Sequence, residues 1–186
     1  AVPTALPGLA TKVGRGILGA DTVPLYTADL PGGGSRRKVL AGRAPVAVYF
    51  SSCTTTMFGP VGADGVAESF LRLCERAGVE LSTPDDIPSL CCGTPWKSKG
   101  LTDGYAVMKA KVAASLHRAT DRGRLPVVCD ASSCTDGLQI LLDAAGERGI
   151  RVVDAVAFVD EHVLPHLPPA QRVASLTLHP TCSSHH

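Results

Sequence analysis

Several features that would assign this chain to a common functional class are missing from its sequence. No uninterrupted apolar run approaches the roughly 18 to 20 residues that a membrane-spanning helix requires, and no charged segment followed by an apolar one opens the chain as in a secretory leader. Lysine and arginine total 18 against 17 aspartate and glutamate, and they are scattered along the chain. We therefore expect neither a membrane span nor a nucleic-acid surface.

Phosphate-binding loops are missing as well. No Gly-x-Gly-x-x-Gly turn follows the first predicted strand, where Phe50-Ser51-Ser52-Cys53 stands instead, and there is no Gly-x-x-x-x-Gly-Lys segment. Disulfide-stapled mini-proteins use cysteines to replace a core, whereas this chain is 45% hydrophobic and has only seven cysteines. Each cysteine therefore has to be interpreted from its own position.

The first 44 residues differ in pattern from the rest of the chain. Residues 1–44 contain many glycines and prolines, including Gly32-Gly33-Gly34, without sustained periodicity, which predicts an irregular arm or interdomain linker. The start at Ala1, which is not Met, and the stop at His186 indicate engineered or processed ends. His185-His186 is a candidate remnant of a purification tag.

From Pro45 onward, short apolar runs alternate with segments of helical periodicity. Strands are predicted at 46–50, 79–81, 126–129, 152–153 and 176–178, and helices at about 63–77, 105–119, 134–148 and 155–164. Such alternation predicts an α/β fold over residues 45–178, a Rossmann-like three-layer domain with a mostly parallel sheet.

Most of the cysteines follow a predicted strand. Cys53 comes after the first strand, Cys91-Cys92 after the second, Cys134 in the turn after the third, and Cys182 after the fifth. Loops at the carboxyl ends of parallel strands share one edge of the sheet, where ligands bind. We therefore expect these sulfur atoms to converge although they are distant in sequence.

Several convergent thiolates suit an iron–sulfur cluster or a tetrahedral zinc ion, because both metals prefer sulfur ligands. Gly93 directly follows Cys91-Cys92 and would let the backbone approach a bulky inorganic ligand. Cys134 stands at a predicted helix start, where the helix dipole favours a thiolate. The metal-ligating candidates are thus Cys53, Cys91, Cys92 and Cys134.

Three further residues have competing interpretations. Cys74 lies in the apolar stripe of the first predicted helix after Pro45 and is expected to be a core residue. Cys129 ends a buried strand, where packing explains it as well as a role in the site does. His179 precedes Cys182 by three positions and is either a hydrogen-bonded structural residue or a ligand.

The doubled cysteine before Gly93, together with Cys53 and Cys134, resembles the cysteine-rich CCG domain of heterodisulfide reductase subunits, glycolate oxidase iron–sulfur subunits and anaerobic glycerol-3-phosphate dehydrogenase subunits. Four phrases are similar to one subgroup, the C-terminal part of FAD-linked oxidases such as D-lactate or D-2-hydroxyglutarate dehydrogenases. They are residues 48–53, 92–96, 130–134 and 179–184.

The resemblance implies an electron-transfer module with an iron–sulfur cluster bound by Cys53, Cys91, Cys92 and Cys134. It also implies that Cys182 opens a second repeat, truncated within residues 179–186, and contributes where the repeats join. The family's usual Cys-x-x-Cys element is altered, because Ala131 stands three positions before Cys134.

In the parent enzyme, the resemblance implies a flavin domain that carries the FAD and a ferredoxin-like domain as neighbours of this module. Electrons would leave towards a quinone or a cytochrome. The implied location is the cytoplasm, with or without peripheral attachment to a membrane.

Two other functions remain open at this point. In the first, the cysteines form a module without a cluster, which cycles between dithiol and disulfide or binds zinc. Alternatively, the domain docks against the flavin domain without redox chemistry of its own.

Overall fold

A computed structural model describes residues 5–27, 30, 32–60, 64–168, 174, 175 and 177. Within them a four-stranded sheet is formed by β1 (Ala47–Phe50), β2 (Leu81–Ser82), β3 (Val127–Cys129) and β4 (Val152–Asp154). The strand order is β2-β1-β3-β4, and every pairing is parallel. The predicted α/β fold with a parallel sheet is confirmed, and the strand positions agree to within two residues.

Helices connect the strands. Those in the described part of the chain are α1 (Ala5–Leu18), α2 (Thr54–Met57), α3 (Val66–Arg76), α4 (Thr94–Ser98), α5 (Thr102–Ala119), α6 (Ser132–Ala144) and α7 (Ala155–Phe158). A π-helix at Val159–Val163 and a 3-10 turn at Leu164–His166 extend α7. The helix predicted at 155–164 therefore consists of α-helical, π-helical and 3-10 segments in succession. The short helix α4 has no counterpart among the predicted helices.

The sheet is covered on both faces, as the Rossmann-like prediction requires. Side chains alternate along β1, so that Val48 and Phe50 enter one hydrophobic cluster while Ala47 and Tyr49 enter the other. The first cluster includes residues of α5 and α6, and the second includes residues of α3 and α7. Burying each large apolar side chain contributes roughly 1.5–3 kcal/mol to the stability of the fold. The helices on both faces therefore fix the positions of the strand ends.

The N-terminal region differs from the sequence-based expectation. Residues 5–18 form the helix α1, although this region was predicted to be irregular. Gly8, Gly14 and Gly16 lower its helix propensity and hide a stripe in which Leu9, Val13 and other apolar residues follow helical spacing. The chain divides into two compact units, one of residues 1–35 and 54–65 and the other of residues 36–53 and 66–186.

The last predicted strand, 176–178, and the segment 179–186 with Cys182 and His179 lie largely outside the described residues, where only Thr177 is placed.

Candidate cysteine site

The carboxyl ends of β1 and β3 bring the first cysteines together. These two strands pair in parallel with Phe50 beside Cys129, so the chain leaves both strands at the same edge of the sheet. After β1 come buried Ser51 and Ser52 and then half-buried Cys53. After β3 the chain turns through Asp130 into α6, whose first turn carries buried Cys134.

Five cysteine side chains lie close enough at this edge to shift one another's pKa. Cys53 interacts in this way with Cys91, Cys91 with Cys92, Cys92 with Cys134, and Cys134 with Cys129. The four cysteines predicted to share a site are therefore neighbours in space. Cys129, for which packing and site membership were both open, belongs to the buried core and also interacts with Cys134.

The loop that carries Cys91 and Cys92 is shaped by residues on either side of the pair. A 3-10 turn at Ile87–Ser89 precedes it, with Ile87 fully buried. Gly93 follows with φ 83°, in the left-handed region that other residues adopt at a cost. A Cβ atom at Gly93 would lie 2.8 Å from the Tyr105 ring, so this position needs glycine for both conformation and space.

Thr94 links the doubled cysteine to helix α6. The thiol of Cys92 donates a weak hydrogen bond to Thr94 Oγ1 at 3.4 Å, and that hydroxyl donates to the Ser133 carbonyl at 3.2 Å. A Cβ at Gly137 would fall 2.0 Å from Thr94 Oγ1. The close approach of α4 to α6, which keeps Cys92 beside Cys134, therefore depends on this glycine.

Asp130 joins the two strand ends. Its carboxylate accepts one hydrogen bond from the Tyr49 hydroxyl and one from the Ser52 backbone N–H, both at 2.7 Å. The Tyr49 side chain is buried, and burial together with Asp130 raises the pKa of its hydroxyl. The carboxylate therefore fixes the backbone immediately before Cys53.

Every thiol of the four-cysteine set has a raised pKa. Burial is the main cause at Cys53, whereas at Cys91 and Cys92 the largest cause is the hydrogen bond to the next thiol, Cys92 and Cys134 respectively. The contact with Cys129 raises the pKa of Cys134 to about 12. At the start of α6, neighbouring sulfur and burial thus shift the pKa of Cys134 in the direction opposite to that expected from its helix-start position.

One charged residue of the site was missed from the sequence. Arg37 lies in the segment that was predicted to be an irregular arm, yet its guanidinium donates to three carbonyls around the cysteine loops. It also interacts electrostatically with Cys53, Cys91 and Cys134. The sequence around Arg37 does not distinguish it from the basic residues beside it. The structure does, because Arg37 is half-buried whereas Arg36 and Lys38 are exposed.

The side-chain arrangement sets a condition on metal binding. Among the described residues, no three His, Cys, Asp or Glu side chains are placed so that together they could hold a metal ion. Cysteine is the ligand that iron–sulfur clusters use, so the donor chemistry fits a cluster, and ligation would require the thiols to lose their protons.

A cavity of about 470 Å³ lies beside the cysteine loops. Its lining includes Gly93, Thr94 and Ser133, which are within two residues of Cys92 or Cys134 in the chain. Lys97 and Asp136 place one charge of each sign on its wall. None of its lining residues is a cysteine, so the cavity borders the backbone of these loops and not the thiols.

Two further expectations concern Cys74 and membrane-spanning helices. Cys74 is buried in the hydrophobic cluster on the opposite face of the sheet, as predicted, and burial raises its pKa to about 11. In the part of the chain that the structure describes, no helix is both long and apolar enough to cross a membrane.

Comparison with known proteins adds no relative: no family model, no curated protein and no solved structure matches the chain.

Proposed function

We propose that the chain is an electron-transfer module in which Cys53, Cys91, Cys92 and Cys134 bind an iron–sulfur cluster. The observation that supports this proposal is the proximity of the thiols, which gathers cysteines from three separate loops at one sheet edge. Cys182, by resemblance, would contribute from the following repeat.

The chain's own residues would control the environment of such a cluster. When bound, the cluster supplies one-electron transfer, and its potential depends on burial and on hydrogen bonds to sulfur. Cys92 is 3% and Cys134 is 6% exposed, so both sulfurs are shielded from water. Asp130 and Thr94 hold the loops on which these cysteines lie.

The wider setting is also part of the proposal. By resemblance, the module would receive electrons from an FAD-linked domain that oxidises a D-2-hydroxyacid and pass them to a quinone or a cytochrome. All six cysteines in the described residues are free of disulfides, which favours a reducing compartment such as the cytoplasm.

A second candidate is a thiol–disulfide module without a cluster. The pairwise interactions, such as that of Cys53 with Cys91, favour it because a disulfide forms between neighbouring thiols. The described side chains also offer no set of three ligands for a single ion. Against it, the pKa of each of the four predicted site cysteines is raised, which lowers the fraction of thiolate that could initiate exchange.

Anaerobic reconstitution with ferrous iron and sulfide separates the two candidates. We expect the wild-type chain to retain iron and acid-labile sulfide in similar amounts and to show broad visible absorption. Cys91→Ala and Cys134→Ala should lose most of both elements. Cys74→Ala is the matched control, because this thiol lies in the opposite core layer, and it should load like wild type.

Two other outcomes would contradict the cluster proposal. Iron and sulfide that stay at background in a folded wild-type protein would exclude it. A reversible disulfide mapped by mass spectrometry between Cys53 and Cys91, in a protein that loads no cluster, would establish the second candidate instead.

A further inference from the structure

A single guanidinium connects the two loops that present the first cysteines. Arg37 Nη1 donates to the Ser51 carbonyl at 3.2 Å, and Nη2 donates to Pro88 at 3.2 Å and to Leu90 at 2.6 Å. Ser51 lies two residues before Cys53, and Leu90 directly precedes Cys91. The arginine therefore fixes both loops from one point, across 14 and 53 residues of sequence.

The same side chain places a positive charge beside the sulfur atoms. It is half-buried and interacts electrostatically with Cys53, Cys91, Cys134 and Asp130. Burial lowers the arginine pKa, and these groups oppose that effect. Because the ordinary pKa of arginine is above 12, the guanidinium stays charged at neutral pH.

Lysine would not reproduce this arrangement. The planar guanidinium presents several N–H groups in a fixed fork, whereas an ammonium is a compact point charge on a flexible stem. Three carbonyls from two loops can be held together by the fork. Position and charge are therefore two separable contributions of Arg37.

We propose that Arg37 is a positioning residue of the cysteine site, which anchors the loops of Cys53 and Cys91 and stabilises negative charge on the reduced site, thereby raising its reduction potential. The anchoring part stands on the hydrogen bonds alone. The potential part rests on the proposed cluster function. A fixed positive charge favours the state that has gained an electron, because the added charge is negative.

The test compares Arg37→Gln, which removes the charge and most of the fork, with Arg37→Lys, which keeps the charge. Arg36→Gln is the matched control, since it removes one positive charge from an exposed neighbour. Hydrogen–deuterium exchange of the metal-free proteins is measured on peptides that contain residues 86–92. We expect faster exchange in both Arg37 variants and no change in Arg36→Gln.

The second measurement is the reduction potential of the reconstituted proteins. Arg37→Gln should lower the equilibrium constant for one-electron reduction about tenfold, a shift of roughly 59 mV, while Arg37→Lys stays within about threefold of wild type. If the role of Arg37 were purely structural, hydrogen–deuterium exchange would change, but Arg37→Gln and Arg37→Lys would have the same reduction potential.

Each result decides the inference. Unchanged exchange in the Arg37 variants overturns the anchoring role, whether or not any cluster binds. Equal potentials in wild type and Arg37→Gln overturn the charge role. If wild type loads no cluster, the proposed function fails and the exchange data alone decide the role of Arg37. If Arg37→Gln does not fold, exchange and potential of Arg37→Lys decide it.

Discussion

Replacing Gly93 by alanine tests whether the doubled-cysteine loop depends on close packing as well as on backbone conformation. Gly93 has φ 83°, and a Cβ there would lie 2.8 Å from Tyr105 Cε2 and 3.0 Å from Leu141 Cδ1. Tyr105 and Leu141 belong to α5 and α6, so an added methyl group would push the loop away from both helices. The change therefore acts directly on the backbone that follows Cys92.

The magnitude follows from two contributions and one offset. The left-handed conformation costs an L-residue about 1–2 kcal/mol, and overpacking in a close-packed region costs about 1–3 kcal/mol. Alanine also lowers the conformational entropy of the unfolded chain, which stabilises the folded protein by about 0.4–1 kcal/mol. We expect Gly93→Ala to lower the free energy of unfolding by about 1–5 kcal/mol, a substantial part of the roughly 5–15 kcal/mol typical of folded proteins.

Gly146→Ala is the matched control, because Gly146 has φ 86° and nothing lies within 4 Å of its Cβ position. It experiences the conformational cost without the packing cost, so its loss should be about 1 kcal/mol. Urea unfolding of both variants measures the difference, and cluster loading should fall in Gly93→Ala alone. Equal losses of stability in the two variants would refute the packing argument.

Two further predictions concern the charge state and the frame of the site. Because the pKa values of Cys91, Cys92 and Cys134 are raised in the folded chain, folding retains protons, and the free energy of unfolding of the metal-free protein should fall as pH rises above about 8.5. Urea titrations from pH 7 to 10 check this, and a flat profile would contradict the shifts. Asp130→Ala should cost about 1–3 kcal/mol, because it removes the acceptor of the buried Tyr49 hydroxyl; thermal unfolding that matches wild type would exclude this role.

The sequence was sufficient for the sheet because the strands follow from local patterns. Apolar runs such as 46–50 locate the strands, and parallel pairing then places the residues that follow β1 and β3 at one edge. Helix α1 was missed because its glycines mask a helical stripe.

The missing parts of the site are those that depend on contacts between distant residues. Arg37 meets carbonyls 14 to 53 positions away, and nothing in its neighbourhood distinguishes it from Arg36. Asp130 is likewise defined by Tyr49, which is 81 residues earlier. Side-chain direction at such positions is set by tertiary packing and not by the periodicity of the segment.

The raised pKa values also bear on which chemistry the thiols can perform. A thiol nucleophile requires a lowered pKa, because only the thiolate attacks, whereas Cys134 has its pKa raised to about 12. A metal–sulfur centre also requires deprotonated sulfur, but there the positive charge of the bound metal compensates for the loss of the proton. The raised pKa values therefore weigh against a nucleophilic role for these cysteines, whereas in a ligand role the bound metal would offset the cost of releasing the protons.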